Sequence, residues 1–250
     1  MTLVYVVGKG SKHDNVELRW SLRSVAKYAM DVERVIVVGY PPEFLSDDVE
    51  RLAVPDIDLP GSKNRSIVNC VLEAVRAFAL KGEFIFACDD VFLTAPTYFI
   101  RWPYFVDADG LPEFPSPDRS GAFEHLLIAT RKFLLDHGAP CFRFQTHSFC
   151  RMDADVIKAN EDLLRSTIYD SVRGLEILSL AGNLRLKADL TTPLFWRKDV
   201  KFGADDFSLR TIADPRRHGA FSVSDKTFGN DVFMRFMDGE FGSPCKYERS

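Results

Sequence analysis

The chain has 250 residues, of which 46% are hydrophobic and 27% are charged, and its formal net charge is -4. This length and apolar content suffice to bury a full core, and the nearly balanced charge excludes a global attraction to nucleic acid, although a local basic patch is still compatible with it. The apolar runs are far shorter than the roughly 20 residues that a membrane-spanning helix needs, so no membrane span is predicted.

The amino terminus and the cysteines bear on cellular location. The segment "MTLVYVVGKG" has no basic stretch before its apolar run, so it does not resemble a signal peptide. The five cysteines include no C-x-x-C pair, which argues against a zinc ribbon and is typical of a reducing compartment. We therefore expect a cytoplasmic protein.

The first 96 residues alternate between strand and helix patterns. The apolar runs "TLVYVVG", "RVIVVGY" and "GEFIFAC" are typical of buried strands, and "RLAVPDIDLPG" contains a shorter one. Leu18, Leu22 and Val25 mark one face of an amphipathic helix, and residues 63–80 predict a second helix. Strands separated by helices of this length predict an α/β fold with a mainly parallel sheet flanked by helices.

Beyond Pro96 this alternation fades. The segment "YFIRWPYFVDADGLPEFPSPDRSG" is rich in aromatic residues, Pro and Gly, which predicts a long irregular excursion. Excursions of that length inside compact domains tend to be lids or binding loops. Helices are predicted over residues 120–137, 156–164 and 166–180, and strands in "CFRFQTHSF" and "GAFSVSD". We find no internal repeat and no linker, so the sequence predicts one domain over residues 1–250 whose second half is mostly helical.

Two carboxylates follow the fourth predicted strand. Parallel sheets bind ligands at the carboxyl ends of their strands, and Asp89 and Asp90 occupy that position. Adjacent carboxylates suit a hard divalent cation, which prefers oxygen ligands and can also accept phosphate oxygens. The alternative is a pair of turn or cap aspartates, which are common at such junctions. Because two adjacent acids repel each other, the pair needs a cation or a basic neighbour if it is partly buried.

Other polar residues are predicted at the same edge of the sheet. Gly8, Gly10 and Ser11 follow the first strand, where backbone N–H groups could approach a phosphate. Lys63 and Asn64 begin the second helix, whose amino terminus favours an anion; an ordinary polar cap is the alternative. Neither the P-loop spacing nor the dinucleotide-binding glycine pattern is present.

The second half contains one histidine of interest and one basic cluster. His147 lies in "FRFQTHSFC", where it is either a buried structural residue or a group that titrates near neutrality during catalysis. Arg216, Arg217 and His218 could face phosphate or belong to a solvated loop. The chain has no G-x-S-x-G motif, so a serine hydrolase is not predicted.

Several of these segments occur together in one family. In order and spacing, "ELRWSLRSVAKY", "RVIVVGYPPEFL", "KNRSIV" and "FIFACDDVFL" resemble the Stealth-type sugar-phosphate transferases and the related small glycosyltransferase-like proteins of phages and bacteria. Farther on, "QTHSF" resembles the family's single-histidine motif, "LEILSLAGN" its S-L-Y-x-N segment, "FSVSD" its late strand and "FGSPCKYE" its C-terminal F-P-x-x-S-x-F-E. The chain departs from the pattern at Cys88, where the family has Asn, and at Phe44, where it has Trp.

The resemblance implies a GT-A-like (Rossmann-like) fold, with residues 1–96 as the nucleotide-binding half and residues 97–250 as the acceptor-side half. It implies that Asp89 and Asp90 hold Mn²⁺ or Mg²⁺ against the diphosphate of a nucleotide sugar, with a UDP-sugar as the first expectation. The candidate residues divide into donor-binding ones (Gly8, Ser11, Arg19, Lys63, Asn64 and Asp89) and catalytic ones (His147, Asp225 and Asp90). The acceptor it suggests is a hydroxymethylated base in phage DNA or a surface glycan.

Three functions are therefore compatible with the sequence. The leading one is a metal-dependent glycosyltransferase. The second is a Stealth-like sugar-phosphate transferase, which would break the bond between the two phosphates and release a nucleoside monophosphate. The third, motivated by Cys88, is a binding module that has kept the fold and lost the chemistry.

Overall fold

The computed structural model describes residues 1–9, 11–59, 62–115, 121–170, 174–196, 201–203, 207–208 and 219–249. Gly10 and the predicted basic cluster of residues 216–218 lie outside this part of the chain. None of the helices in the described part is both long and apolar enough to cross a membrane.

A five-stranded sheet forms the centre of the molecule. Its strands are β1 (Thr2–Val7), β2 (Arg34–Gly39), β3 (Val49–Ala53), β4 (Glu83–Ala87) and β7 (Cys150–Asp153). Their order is β3-β2-β1-β4-β7, and every pairing is parallel except that of β4 with β7. The predicted α/β class with a mainly parallel sheet is confirmed, and the sheet takes its fifth strand from the second half of the chain.

Helices cover both faces of this sheet. Successive side chains of a strand point to opposite faces, so Val4 packs with α2 (Ser62–Ala77) while Leu3 and Tyr5 pack with α1 (Val16–Tyr28). The strands β1, β2 and β4 are buried on both faces, which explains why they read as continuous apolar runs. The four predicted strands and two predicted helices of the first half are all present.

The remaining elements surround this unit. A second sheet has the order β5-β10-β9, and a third pairs β6 with β8. The strands are β5 (Val91–Leu93), β6 (Tyr104–Val106), β8 (Leu194–Trp196), β9 (Lys201–Phe202) and β10 (Ala220–Val223), and the helices are α3 (Ala122–Asp136), α4 (Ala154–Ala159), α5 (Glu161–Asp170), α6 (Ile177–Ala188) and α7 (Asp231–Phe241). The helix predicted over residues 120–137 and the strand predicted in "GAFSVSD" are confirmed as α3 and β10.

The helix boundaries predicted for residues 156–180 are wrong. The first predicted helix is split at Asn160 into α4 and α5, and Asp153 caps α4 by accepting hydrogen bonds from Asp155 N and Val156 N. The second predicted helix includes residues 174–176, which lie between α5 and α6 and are not helical. Among them Gly174 has φ +73°, a left-handed conformation that a continuous α-helix does not contain.

The predicted strand in "CFRFQTHSF" is also wrong, because the strand begins only at Cys150. Side chains of α6 take the place of a neighbouring strand. The Asn183 amide accepts a hydrogen bond from Phe142 N (2.9 Å) and donates one to Phe142 O (2.7 Å), while Ser179 Oγ accepts one from Phe144 N (3.1 Å). The sequence of this segment does alternate like that of a strand. Its backbone at Phe142 and Phe144, however, is hydrogen-bonded to side chains of a helix rather than to a neighbouring strand.

Gly182 lies between Ser179 and Asn183 on the face of α6 that holds this segment, and it allows close approach. A Cβ at this position would lie 2.5 Å from ring carbons of Phe144. We predict that Gly182→Ala lowers the free energy of unfolding by about 1–3 kcal/mol, because the buried ring must shift.

The matched control is Gly239→Ala in α7, where nothing lies within 4 Å of the added carbon. There alanine should stabilise by about 0.4–1 kcal/mol. Urea denaturation of both variants tests the pair, and equal stabilities would contradict it.

Candidate active site at the carboxyl edge of the sheet

Asp89 and Asp90 form the turn between β4 and β5, so the chain passes from the central sheet to the second sheet at these two residues. Both side chains are half-buried. Burial, together with the negative charges of Asp90 and Glu17, raises the pKa of Asp89 to about 7. Burial also raises the pKa of Asp90. The turn therefore concentrates negative charge where solvent screens it poorly.

Three cationic or basic side chains oppose this charge from different elements. Lys201 Nζ in β9 lies 3.8 Å from Asp90 Oδ2. His147 and Lys63 also act electrostatically on Asp90, partly offsetting the rise in its pKa that burial causes. Since Lys63 begins α2 and His147 precedes β7, the fold brings both predicted residues to the turn, together with Lys201, which the sequence did not single out.

Glu17 is a third carboxylate of this site, and the sequence analysis missed it. It lies in the first turn of α1 with 8% of its surface exposed, and its Oε2 is buried without a hydrogen-bond partner among the described residues. An orphaned carboxylate oxygen is costly unless a ligand or ion satisfies it. The signal was available: Glu17, Ser21 and Ser24 follow an i, i+4, i+7 pattern, a line of polar residues on the apolar stripe of α1.

The serines of this polar line hold β5 in place. Ser21 Oγ donates a hydrogen bond to Val91 O, and Tyr5 Oη in turn donates to Ser21 Oγ at 2.8 Å. Ser24 Oγ accepts from Leu93 N at 3.0 Å. On the other side of the turn, Val223 N in β10 donates to Asp90 O at 3.2 Å. The main chain around the two carboxylates is thus fixed by hydrogen bonds with two elements, α1 and β10.

His147 reaches the turn on an unusual backbone. Its φ is +44°, a left-handed conformation that is uncommon for residues other than glycine. The hydroxyls of its neighbours, Thr146 Oγ1 and Ser148 Oγ, are buried without a hydrogen-bond partner among the described residues. Strained backbone and unsatisfied buried hydroxyls around one histidine are typical of a functional site.

The loop after β1 contains Ser11 and Lys12, and both side chains make defined contacts. Ser11 Oγ accepts hydrogen bonds from Asn15 N (2.8 Å) and His13 N (3.3 Å), which holds the loop in a tight turn before α1. Lys12 Nζ lies 3.2 Å from Asp225 Oδ2, and both side chains are more than 70% exposed. Asp225 is therefore at the protein surface, where it forms an ion pair with Lys12 of this loop.

The predicted donor-binding residues differ in their exposure and in the partners that they contact. Lys63 is exposed near the carboxylates, Asn64 is half-buried beside it, and Gly8 is exposed at the end of β1. Arg19 is held by Glu248, with 2.9 Å between Arg19 Nη1 and Glu248 Oε2. Arg65, by contrast, points into the protein and donates to Ile168 O under α5, so it takes no part in the exposed edge.

The ligands that these side chains offer can be compared with those that a divalent cation prefers. Within the part of the chain that the structure describes, no group of three or more His, Cys, Asp or Glu side chains is arranged to hold a metal ion. The Asp89–Asp90 pair nevertheless offers the carboxylate oxygens that Mg²⁺ and Mn²⁺ prefer, and Mg²⁺ commonly binds through one or two carboxylates plus substrate phosphates and water. The residues fit a cation that binds together with a diphosphate.

Comparison with known proteins adds no identification. No protein-family model and no curated protein matches the chain.

The raised pKa of Asp89 predicts how the metal-free protein responds to pH. Between the ordinary aspartate value of 3.8 and about 7, the unfolded chain ionises while the folded protein keeps the proton. Stability should therefore be highest below pH 4 with respect to this group and should fall as pH rises to about 7, by up to about 1.4 kcal/mol per pH unit. Asp89→Asn should reduce this slope by the part that Asp89 contributes. Urea denaturation in EDTA between pH 4 and 8 measures it.

Asp47→Asn is the matched control, because the Asp47 side chain is 98% exposed. This variant should keep the slope of the natural protein. An undiminished slope in Asp89→Asn would show that another group is responsible.

Proposed function

We propose that the chain is a metal-dependent glycosyltransferase with a GT-A-like fold, which moves a sugar from a nucleotide-sugar donor to an acceptor hydroxyl in the cytoplasm. The observation that carries this proposal is the half-buried Asp89–Asp90 turn at the carboxyl edge of a mainly parallel sheet, opposed by Lys63, His147 and Lys201. Acids that repel each other on a fixed backbone favour a cation, and the positive charges of Lys63 and Lys201 favour an anionic donor such as a UDP-sugar. The resemblance to the Stealth-type proteins supports the same reading.

Each residue would have a distinct role in donor binding. Asp89 and Asp90 would hold Mn²⁺ or Mg²⁺, which when bound would neutralise charge on the leaving diphosphate. Lys63, at the start of α2, and Arg19, at the start of α1, would bind phosphate oxygens through charge-assisted hydrogen bonds. Gly8, Ser11 and Asn64 would line the same edge, with Ser11 shaping the loop through its two backbone hydrogen bonds.

His147 is the better candidate for the residue that activates the acceptor. Its electrostatic contact with Asp90 supports a position at the reacting centre, whereas Asp225 is paired with Lys12 at the protein surface. His147 would accept the proton of the acceptor hydroxyl while the acceptor oxygen bonds to the sugar and the bond from sugar to diphosphate breaks. The acceptor would be a hydroxymethylated DNA base or a glycan hydroxyl.

We predict that Asp90→Asn raises the Kd for UDP with Mn²⁺ by more than about tenfold, because one anionic ligand of the cation is lost. The apo fold should be unchanged or slightly more stable, since one of two repelling charges is gone while the shape is kept. Calorimetric titration with and without Mn²⁺, together with melting temperatures, measures both effects. Asp47→Asn serves as the control. A less stable Asp90→Asn protein that binds nucleotide normally would identify the aspartate as a structural cap instead.

The nucleotide product separates the proposed activity from its alternatives. Glycosyl transfer releases a nucleoside diphosphate, whereas sugar-phosphate transfer by the same residues releases a monophosphate. Chromatography of a reaction with a UDP-sugar, Mn²⁺ and a hydroxymethylated oligonucleotide or glycan should show UDP. UMP would establish the sugar-phosphate transferase. Absence of turnover for every donor, together with no effect of metal on the melting temperature, would indicate a binding module.

A further inference from the structure

Three segments that are far apart in the sequence meet at Arg19. They are α1, the loop after β2 that contains Phe44, and residues 245–249, which we call the 245–249 segment. Leu45 and Glu248 form an antiparallel bridge, and Arg249 N donates to Phe44 O at 2.8 Å. The 245–249 segment is therefore fixed to the loop between β2 and β3 by its backbone, before any side chain is considered.

Glu248 is the centre of this junction, with a side chain only 1% exposed. Its Oε1 accepts hydrogen bonds from Arg23 Nε (2.6 Å) and Cys245 N (3.2 Å), and its Oε2 accepts from Arg23 Nη2 (2.8 Å) and Arg19 Nη1 (2.9 Å). Burial alone would raise the pKa of Glu248, but the hydrogen bonds from Arg23 and Arg19 outweigh it and hold the pKa below its ordinary value. The carboxylate is thus ionised at neutral pH, and each oxygen accepts two hydrogen bonds.

One carboxylate faces two guanidinium groups here, so a positive charge is left over. Arg23 uses four of its five N–H donors, since it is bidentate to Glu248 and also donates to Phe241 O and Gly242 O. Arg19 donates only through Nη1 among the described residues, and 31% of its side chain is exposed. Its guanidinium lies 3.8 Å from the centre of the Phe44 ring, a cation–π contact that fixes its plane. The surplus charge and most of the spare N–H donors therefore belong to Arg19.

An oriented guanidinium with spare donors suits a phosphate, which it can bind through two parallel hydrogen bonds. Arg19 lies in the first turn of α1, the helix that follows β1, so it is placed toward the edge of the sheet that carries Asp89 and Asp90, and Phe44 lies in the loop that follows β2. We propose that Glu248 is a positioning residue which, with Phe44, presents Arg19 to the diphosphate of the donor, so that the 245–249 segment forms part of the donor site. This inference rests on the proposed function and assigns a role to a residue that contacts no substrate.

The test uses inorganic pyrophosphate without metal and UDP with Mn²⁺ as separate probes, titrated by calorimetry into the full chain. Glu248→Gln should raise the Kd for both probes by at least about tenfold, because Arg19 loses the partner that orients it. In an Arg19→Met background the same Glu248→Gln change should not alter the Kd for either probe any further. A residue that acts only through Arg19 has no effect on binding once the Arg19 guanidinium is gone. A purely structural role would lower stability in both backgrounds without this dependence on Arg19.

Two further variants protect the test against loss of folding. Phe44→Leu keeps apolar bulk but removes the ring beneath the guanidinium, so it should weaken pyrophosphate binding with little change in melting temperature. Glu50→Gln is the matched control, since Glu50 is bidentate to Arg34 (2.8 and 3.0 Å) at the opposite edge of the sheet. It makes the same chemical change to an arginine-paired carboxylate and should leave both affinities unchanged.

The outcomes separate this inference from the proposed function. If UDP with Mn²⁺ binds, is lost in Asp90→Asn and is unaffected in Glu248→Gln, the positioning role is overturned and the proposed function stands. If pyrophosphate binds in a manner that depends on Glu248 and Arg19 while no nucleotide binds with any metal, the anion site stands and the glycosyltransferase proposal is overturned. If neither probe binds the natural protein, both are overturned.

Discussion

The hydrogen bonds between the backbone of β5 and the hydroxyls of Ser21 and Ser24 are the constraint on which the candidate site depends. A turn that carries two adjacent carboxylates tends to open, because the charges repel each other and prefer water. Here the residues after the turn are bound to α1, and Asp90 is bound through its carbonyl to β10. The acids therefore stay together on a fixed main chain.

The same hydrogen bonds connect the two sheets. α1 packs against one face of the central sheet through Leu18 and Leu22, and it also holds the first strand of the second sheet. Tyr5 reaches Ser21 from β1, so the network extends from the middle of the central sheet to Val91. Buried hydroxyls that are fully satisfied in this way specify one arrangement of the core, because any slip of α1 would leave them unpaired.

The side chains that oppose the negative charge of the turn belong to elements from distant parts of the chain. Lys63 belongs to α2, His147 precedes β7, and Lys201 lies in β9. Glu17 adds negative charge from α1, with one oxygen left unpartnered among the described residues. The site is thus built where the amino termini of two helices, a strained segment and a small strand converge on one turn.

The elements that follow local rules could be predicted from the sequence. β1, β2, β4, α1 and α2 are visible because buried strands give apolar runs and amphipathic helices give a 3.6-residue period. The position of Asp89 and Asp90 at a strand end could be predicted for the same reason.

What could not be predicted depends on partners that are distant in sequence. The segment before Cys150 alternates like a strand, but the side chains of Ser179 and Asn183 satisfy its backbone. The line of Glu17, Ser21 and Ser24 indicates a buried polar face of α1, but the approach of Glu17 to Asp89 depends on how α1 packs against the turn. The approach of Lys201 to Asp90 is likewise set by the pairing of β9 with β10.

The ion pair between Arg19 and Glu248 has a consequence for the order of folding. The two residues are 229 positions apart, so their contact closes a very long loop, whose entropic cost must be met by contacts that already exist. We expect the central sheet and α1 to form first and the 245–249 segment to join afterwards. In that order, changes at Glu248 accelerate unfolding and leave the folding rate nearly unchanged. The lifetime of the native state, rather than the speed at which it forms, is then determined by this late contact.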